Sequence, residues 1–171
     1  MNMERCLILI KPDGLQRGLV GEIISRFERA GLKIVAAKMT SPDRQHYHRH
    51  YEEIGTMITR RGQEVFDMTM DFMQQGPVLA FVLEGIEAVE VARKIVGTTE
   101  PKTALPGTIR GDYAHMSYKH GDTQKLGIPN LVHCSGDSDE AQLEVALWFQ
   151  PDEIHDYQTT AENYTLPKKL K

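Results

Sequence analysis

The chain has 171 residues, of which 20 are lysine or arginine and 24 are aspartate or glutamate, so its formal net charge is -4. This length allows one globular domain with a buried core, and the charge gives no overall attraction for nucleic acid, so any phosphate ligand needs a local basic pocket. The two cysteines exclude the dense disulfide framework of a small secreted domain, and we expect both thiols to be reduced.

The first half of the chain is predicted to form two strands and two helices. The apolar run at residues 6–10 predicts a buried strand, and it is too short for the core of a signal peptide or for a membrane span, so we expect a cytoplasmic protein. Apolar residues recur at helical spacing across residues 20–27, and Gly31 is placed to end that helix. A second strand is expected at residues 32–38, followed by a polar helix at residues 42–53.

The second half is predicted to complete an α/β fold. Residues 78–83 indicate a third strand, residues 86–96 another helix, and the Gly- and Pro-marked residues 97–129 an irregular segment. A fourth short strand and a last helix with a capping box follow, at residues 131–132 and from Asp137 with Glu140 to Phe149. The order βαββαβ, with an extra helical piece, favours a ferredoxin-like sandwich in which helices pack on an antiparallel four-stranded sheet.

The chain contains no internal repeat, no low-complexity tract and no linker rich in Pro, Gly and Ser. No position between the predicted elements therefore marks a domain boundary. We expect a single domain over residues 1–160, with residues 161–171 as a loosely attached tail.

Three segments carry residues suited to holding or moving a phosphoryl group. Lys11 stands at the end of the first predicted strand and opens a glycine-containing turn, where an anion can be held. Neither a GxxxxGK[ST] nor a GxGxxG pattern occurs, so a P-loop or a dinucleotide fingerprint cannot explain phosphate binding. Arg110 lies in a loop at residues 106–112, and His133 stands at a strand end, two residues before Ser135. Together they offer a candidate nucleophile and its cationic phosphate ligands.

These segments resemble those of nucleoside diphosphate kinases. The likeness spans about residues 4–157 and is carried, in the family's order, by Lys11-Pro-Asp-Gly with Arg17-Gly18, Pro106-Gly-Thr-Ile-Arg-Gly-Asp112, Asn130-x-x-His133-x-Ser135 and Leu147-Trp-Phe149. The resemblance implies the ferredoxin-like fold and a ping-pong transfer of the γ-phosphoryl group from a nucleoside triphosphate to a nucleoside diphosphate, with little base selectivity. It implies Mg²⁺ carried on the nucleotide phosphates rather than by protein side chains. It also implies a homo-oligomer, hexameric or tetrameric, and we expect neither a membrane nor a nucleic-acid partner.

The same resemblance assigns roles to individual residues. His133 is the nucleophile, phosphorylated on its pros nitrogen, and Glu144, eleven positions later, orients the imidazole. Tyr51 lies near the nucleophile, and Lys11 serves both catalysis and nucleotide binding. The remaining matched positions contact phosphate or, for the last of them, the sugar: Arg93, Thr99, Arg110 and Asn130. A neutral imidazole with an ordinary pKa of about 6.5 suits this role, because phosphoryl transfer asks the protein mostly for positioning and charge neutralisation.

The chain departs from the family's common pattern in two expanded segments and two single positions. The expanded segments, residues 54–70 and 114–129, are interpreted as loop-like insertions outside the core. The family phenylalanine that stacks on the base aligns with Val65, next to Phe66, which leaves open whether Phe66 stacks or no residue does. The aspartate that ends the family's His-Gly-Ser-Asp motif is replaced by Gly136, and we expect a supporting contact to be weakened.

Other interpretations stay open at this point. His46 and His50 have the i, i+4 spacing that can bind zinc, but no HExxH motif or cysteine partner accompanies them, and we expect no metal there. Cys134 is either a redox-sensitive neighbour of the nucleophile or, as we favour, a small apolar filler. The competing functions are a non-catalytic nucleotide-binding regulator of the same fold and a protein-interaction module with an incidental histidine. The residues that argue against both are Lys11, Arg110, His133 and Ser135.

Overall fold

The structure, a computed structural model, describes residues 3–166. Its centre is an antiparallel sheet with the strand order β2-β3-β1-β4. The strands are β1 (Glu4–Ile10), β2 (Lys33–Thr40), β3 (Val78–Gly85) and β4 (Val132–Cys134). Each strand lies where the sequence predicts one, and the ferredoxin-like sandwich is confirmed.

Ten α-helices lie within residues 3–166. They are α1 (Pro12–Gln16), α2 (Val20–Arg29), α3 (Arg44–His48), α4 (Met57–Arg61), α5 (Gln63–Met73), α6 (Ala88–Val96), α7 (Ile109–Tyr113), α8 (Tyr118–Gln124), α9 (Ser138–Trp148) and α10 (Glu162–Thr165). A π-helical turn at Arg49–Ile54 continues α3, and 3₁₀ turns lie at Pro101–Thr103 and Pro151–Glu153.

The sheet is buried on both faces, because successive side chains of the central strand β1 point to opposite sides. Cys6, Ile8 and Ile10 join one core, to which α2 and α6 contribute, while Leu7 and Leu9 join a second core with α3, α5 and α9. All five β1 side chains are fully buried. Burial of a large aliphatic side chain contributes about 1.5–3 kcal/mol, so β1 fixes both helical layers on the sheet.

The interpretation of residues 97–129 as irregular is wrong. This segment contains a 3₁₀ turn and two short helices, α7 and α8. Both helices are capped by hydroxyl groups, since Thr108 accepts a hydrogen bond from Gly111 N and Ser117 accepts one from His120 N. Helices of five to seven residues leave no repeating apolar stripe, so their side-chain caps are the signal that remains in the sequence.

The two expanded segments are helical, which corrects their interpretation as loops. The first contains α4 and most of α5, and the second contains α8. They also pack against each other, because the Arg61 guanidinium lies 4.3 Å from the centroid of the Tyr118 ring, and Lys125 forms an ion pair with Glu64. Residues 54–70 and 114–129 therefore form one continuous surface, which we call the outer wall.

A buried lysine joins β2 to the C-terminal segment. Lys33 Nζ lies 3.0 Å from a Glu84 carboxylate oxygen and 2.9 Å from one of Glu162, and it donates to the carbonyl oxygen of Tyr157 at 2.8 Å. The first residues of the expected tail thus contact the domain. Residues 167–171 lie outside the described residues, and the boundary at residue 160 stays a prediction.

Candidate active site

A single cavity of about 740 Å³ brings the predicted site residues together. Its walls come from the ends of β1 and β4, the residues between α6 and α7, and both expanded segments. All eight residues to which the sequence assigns a role line this cavity: Lys11, Tyr51, Arg93, Thr99, Arg110, Asn130, His133 and Glu144. The chain thus folds so that segments distant in sequence face one space.

His133 is held at one of its two ring nitrogens. It lies in β4, opposite Leu9 of β1, and its side chain is 17% exposed. Its Nε2 lies 2.8 Å from Glu144 Oε1, whereas within residues 3–166 no side chain or backbone group forms a hydrogen bond with Nδ1. Because a carboxylate only accepts, the neutral ring carries its proton on Nε2 and leaves the lone pair on Nδ1.

Glu144 is a buried carboxylate, 1% exposed, whose two oxygens are both engaged. Oε1 meets His133, and Oε2 accepts a 2.6 Å hydrogen bond from Ser135 Oγ, which in turn accepts one from Leu7 N at 3.0 Å. Burial alone would raise the pKa of Glu144, but His133, with smaller contributions from His50 and Ser135, outweighs burial and lowers this pKa to about 2. Glu144 therefore stays ionised near neutral pH and fixes the imidazole.

Two buried cations line the same cavity as His133. Burial lowers the pKa of Lys11 to about 8, and its Nζ donates to Asn130 Oδ1 at 2.9 Å. Arg110 donates to the carbonyl oxygens of Gly97, Asn130 and Val132 at 2.9, 3.2 and 2.5 Å. Burial lowers the pKa of Arg110 to about 10, which leaves it charged at neutral pH. These hydrogen bonds to backbone carbonyls fix the Arg110 side chain. Because a guanidinium has five N–H donors, some of them remain for an anion.

The remaining predicted ligands are tied to the same framework. Asn130 Nδ2 donates to the carbonyl oxygen of Thr99 at 2.9 Å, and Arg93 donates to the carbonyl oxygen of Ser135 at 3.4 Å. Tyr51 lies in the π-helical turn with its ring centroid 6.1 Å from that of His133, and its buried hydroxyl has no hydrogen-bond partner among residues 3–166. The hydroxyl keeps its proton, because burial raises the pKa of Tyr51 far above neutral.

This arrangement of a carboxylate-held histidine and cations agrees with the comparisons with known proteins. The family model described as nucleoside diphosphate kinase matches residues 4–154. The chain belongs to the nucleoside diphosphate kinase family. A nucleoside diphosphate kinase from Pyrococcus furiosus is 45% identical over 167 residues, which cover 98% of this chain and 96% of that protein. One from Borreliella burgdorferi is 41% identical over 162 residues, covering 95% and 96%.

Solved structures of the nucleoside diphosphate kinase family match the fold closely. A transition-state mimic of the enzyme from Borrelia burgdorferi with bound vanadate and ADP superposes with a TM-score of 0.92 at 40% identity, covering 95% of this chain and 96% of that one. The halophilic enzyme from Halobacterium salinarum in complex with CDP gives a TM-score of 0.81 at 37% identity, covering 97% and 100%. The chain is therefore an enzyme of this family, which transfers a phosphoryl group between nucleoside tri- and diphosphates. Within residues 3–166 we find no helix of the length and hydrophobicity that a membrane crossing requires.

The cavity differs from the family's common pattern at the position of the base-stacking phenylalanine. Val65 lines the cavity, whereas its neighbour Phe66 is 4% exposed and packs in the second core, edge-to-face with His48 at 5.6 Å. Phe66 therefore does not line this cavity. The aromatic residues Phe72 and Tyr118 line it instead.

A carboxylate lies beside Gly136, the residue that replaces the family's aspartate. Glu140, in the first turn of α9, accepts a hydrogen bond from Gly136 N at 3.1 Å. A Cβ added at Gly136 would come within 2.3 Å of Glu140 Oε2, so the longer side chain lies close to where an aspartate would begin. The Glu140 carboxylate therefore lies next to the position at which the sequence predicted a weakened contact.

Histidines and cysteines near the site occupy distinct surroundings. Among residues 3–166, the one group of His, Cys, Asp and Glu side chains close enough to share a metal is His50, His133 and Glu144, and His46 is not part of it. Glu144 in that group is already engaged by His133 and Ser135.

Cys6 and Cys134 are free thiols with their sulfurs 3.6 Å apart, and the Cys134 thiol, together with burial, raises the pKa of Cys6. This packing suits the apolar-filler interpretation.

Two residues of this nucleoside diphosphate kinase site were not predicted from the sequence. His50 is buried beside His133 with ring centroids 4.4 Å apart, and Trp148 Nε1 donates to His50 Nδ1 at 3.2 Å. The adjacency of His50 to Tyr51 was the available signal. Both residues lie in the π-helical turn and are buried.

Proposed function

We propose that this enzyme works by a ping-pong mechanism in which Nδ1 of His133 takes up the transferred phosphoryl group. The observation that carries the proposal is that the imidazole is held at one nitrogen only. Nε2 lies 2.8 Å from Glu144 Oε1, and among residues 3–166 Nδ1 has no hydrogen-bond partner, in a cavity that Lys11 and Arg110 also line. A nitrogen lone pair beside two fixed cations suits attack on the γ-phosphorus of a bound nucleoside triphosphate.

In the first half-reaction, the Nδ1 lone pair forms a bond to the γ-phosphorus while the bond to the bridging oxygen breaks, and the nucleoside diphosphate leaves with that electron pair. The imidazole ring becomes positively charged, and Glu144 stabilises this charge through Nε2–H. In the second half-reaction, a terminal phosphate oxygen of another nucleoside diphosphate attacks the same phosphorus and restores neutral His133. Lys11, Arg93 and Arg110 neutralise charge on the phosphoryl oxygens throughout.

Mg²⁺ enters this proposal as part of the nucleotide substrate. The carboxylates lining the cavity have other partners, since Asp137 accepts from Glu140 N at 2.8 Å, Glu140 accepts from Gly136 N, and Glu144 holds His133. A cation bound by phosphate oxygens and water needs no protein carboxylate. The chain's residues thus suit a magnesium–nucleotide complex rather than a dedicated metal site.

The enzyme should accept nucleoside di- and triphosphates of every base as substrates. The assigned ligands contact phosphate and sugar, which all nucleotides share, and the cavity wall toward the expanded segments carries apolar and aromatic side chains such as Val65, Phe72 and Tyr118. Stacking on such surfaces tolerates any base, because each base has a π-face. We therefore propose little base selectivity.

Initial-rate kinetics test this proposal. With ATP as the donor and a nucleoside diphosphate as the acceptor, double-reciprocal plots at several acceptor concentrations should give parallel lines. His133→Ala should abolish exchange while nucleotide binding persists, because the nucleophile serves the chemistry and the cations serve affinity. His120→Ala, which changes an exposed histidine outside the cavity, is the control. Activity of His133→Ala within about tenfold of the wild type would refute the assignment.

The assembly and compartment of the chain stay predictions. We propose a homo-oligomer, hexameric or tetrameric, in the cytoplasm, where nucleotides are exchanged, with no membrane or nucleic-acid partner. Light scattering on the purified chain measures its mass, and a mass equal to one copy would contradict the oligomer.

A further inference from the structure

His50 lies against the nucleophile, yet none of the steps above uses it. It is 1% exposed and lines the cavity, and its ring stands edge-to-face with the His133 ring, at 4.4 Å between centroids and 77° between planes. The same ring also contacts Tyr51 at 4.6 Å and Trp148 at 5.6 Å. His50 is therefore fixed by neighbours on three sides.

The hydrogen bond from Trp148 determines the tautomer of His50. An indole N–H only donates, so His50 Nδ1, 3.2 Å from Trp148 Nε1, has to accept, and the proton of the neutral ring sits on Nε2. Glu144 Oε1 lies 3.7 Å from the same Nδ1, beyond hydrogen-bond distance. The Glu144 carboxylate thus remains committed to His133.

The charged and titratable groups around His50 keep it neutral. Burial lowers the pKa of His50 well below its ordinary value. His133 on β4, Lys11 after β1 and His46 on α3 act in the same direction, while Glu144 on α9 opposes them. Two adjacent imidazoles can then differ in role, because one is free to become positive as the other stays uncharged.

The buried Nε2 of His50 has no hydrogen-bond partner among residues 3–166. Burying a donor without an acceptor is costly, so an apolar side chain would serve better if this position were needed only for packing. We propose that His50 is a positioning residue: its ring holds the His133 imidazole in the orientation that keeps Nε2 on Glu144 and presents Nδ1 to the nucleotide. This inference rests on the proposed role of His133 as the nucleophile.

The test is the rate constant for phosphorylation of the full chain by γ-labelled ATP in a single turnover. His50→Gln removes the ring but keeps an acceptor for Trp148, and at saturating ATP it should lower the rate constant about tenfold or more, with ATP affinity within twofold of wild type. His46→Gln is the matched control, because His46 also packs on Trp148, at 4.6 Å, but lies outside the cavity. It should change the rate constant less than twofold.

A rate constant within twofold of wild type for folded His50→Gln would overturn the inference, whereas a wild-type chain that takes up no label would contradict the proposed function instead. If His50→Gln does not fold, histidine ¹⁵N NMR of the wild type decides. We expect His50 to be neutral with its proton on Nε2 at neutral pH, and to lose this preference in Trp148→Phe. A charged ring, a proton on Nδ1 or no effect of Trp148→Phe would each overturn the inference.

Discussion

Glu144 Oε1 lies 2.8 Å from His133 Nε2, and this contact joins helix α9 to the edge strand β4. The carboxylate is anchored from the other side by the hydroxyl of Ser135 at 2.6 Å, so neither partner can rotate freely. The pair thereby decides which ring nitrogen faces the cavity. The reactivity of the site depends on this choice.

Replacement of Glu144 by glutamine should lower kcat without unfolding the protein. The amide still fits between His133 and Ser135, but it carries no charge to stabilise the imidazolium, and an amide N–H facing Nε2 would favour the wrong tautomer. We expect kcat to fall by at least about tenfold with a nearly unchanged KM. Asp139→Asn, an exposed change on the same helix, controls for charge. An unchanged kcat and pH–rate profile would contradict the orienting role.

The pKa of Lys11 makes the capture of nucleotide sensitive to alkaline pH. Burial lowers this pKa to about 8, so the ammonium is present below that pH and is lost as the pH rises through it. Because kcat/KM reports ionisations of the free enzyme, kcat/KM should fall with an apparent pKa near 8. Lys11→Arg, which stays charged, should lack this decline. The same decline in Lys11→Arg would show that another group causes it.

Base selectivity should be low despite the altered stacking position. A hundredfold preference needs about 2.7 kcal/mol of differential transition-state binding, which well-placed hydrogen bonds provide and stacking does not. We expect kcat/KM for ATP, GTP, CTP and UTP to lie within about a hundredfold of one another, and Tyr118→Ala to weaken all four alike. Phe66→Ala should lower stability instead, by about 3–5 kcal/mol, because this ring is in the core. A larger spread among donors would show that a residue of the expanded segments reads the base.

Activity that is lost when metal is removed should be restored by Mg²⁺ alone. His46 packs on Trp148 and His50 packs on His133, and the two do not share a group of metal-ligating side chains. Treatment with EDTA followed by Mg²⁺ should therefore restore full activity. Stoichiometric zinc in elemental analysis of the purified chain would contradict this expectation.

The eight site residues were assigned through the resemblance to the family's motifs. Elements with clear apolar periodicity follow from the sequence itself, because that periodicity is a local property. The four strands and the helix containing Phe27 are such cases. The Asp137 cap is also found as predicted, accepting from Glu140 N at 2.8 Å, although Glu140 reaches Gly136 N rather than completing the box.

What the sequence does not reveal depends on contacts between distant segments. The short helices α4 and α8 are supported by the Arg61–Tyr118 contact across two insertions, which no local pattern shows. The buried His50 accepts a hydrogen bond from Trp148, 98 residues away, which no local pattern shows. Tertiary packing of this kind overrides local propensity.

The position of the phosphoryl group on the protein tests the proposed mechanism most directly. After incubation with γ-labelled ATP, the chain should carry acid-labile, alkali-stable label, and ³¹P NMR with peptide mapping should place it on Nδ1 of His133. His133→Ala should take up none. Label on Nε2 of His133 would contradict the orientation set by Glu144, and label on any other residue would contradict the nucleophile itself.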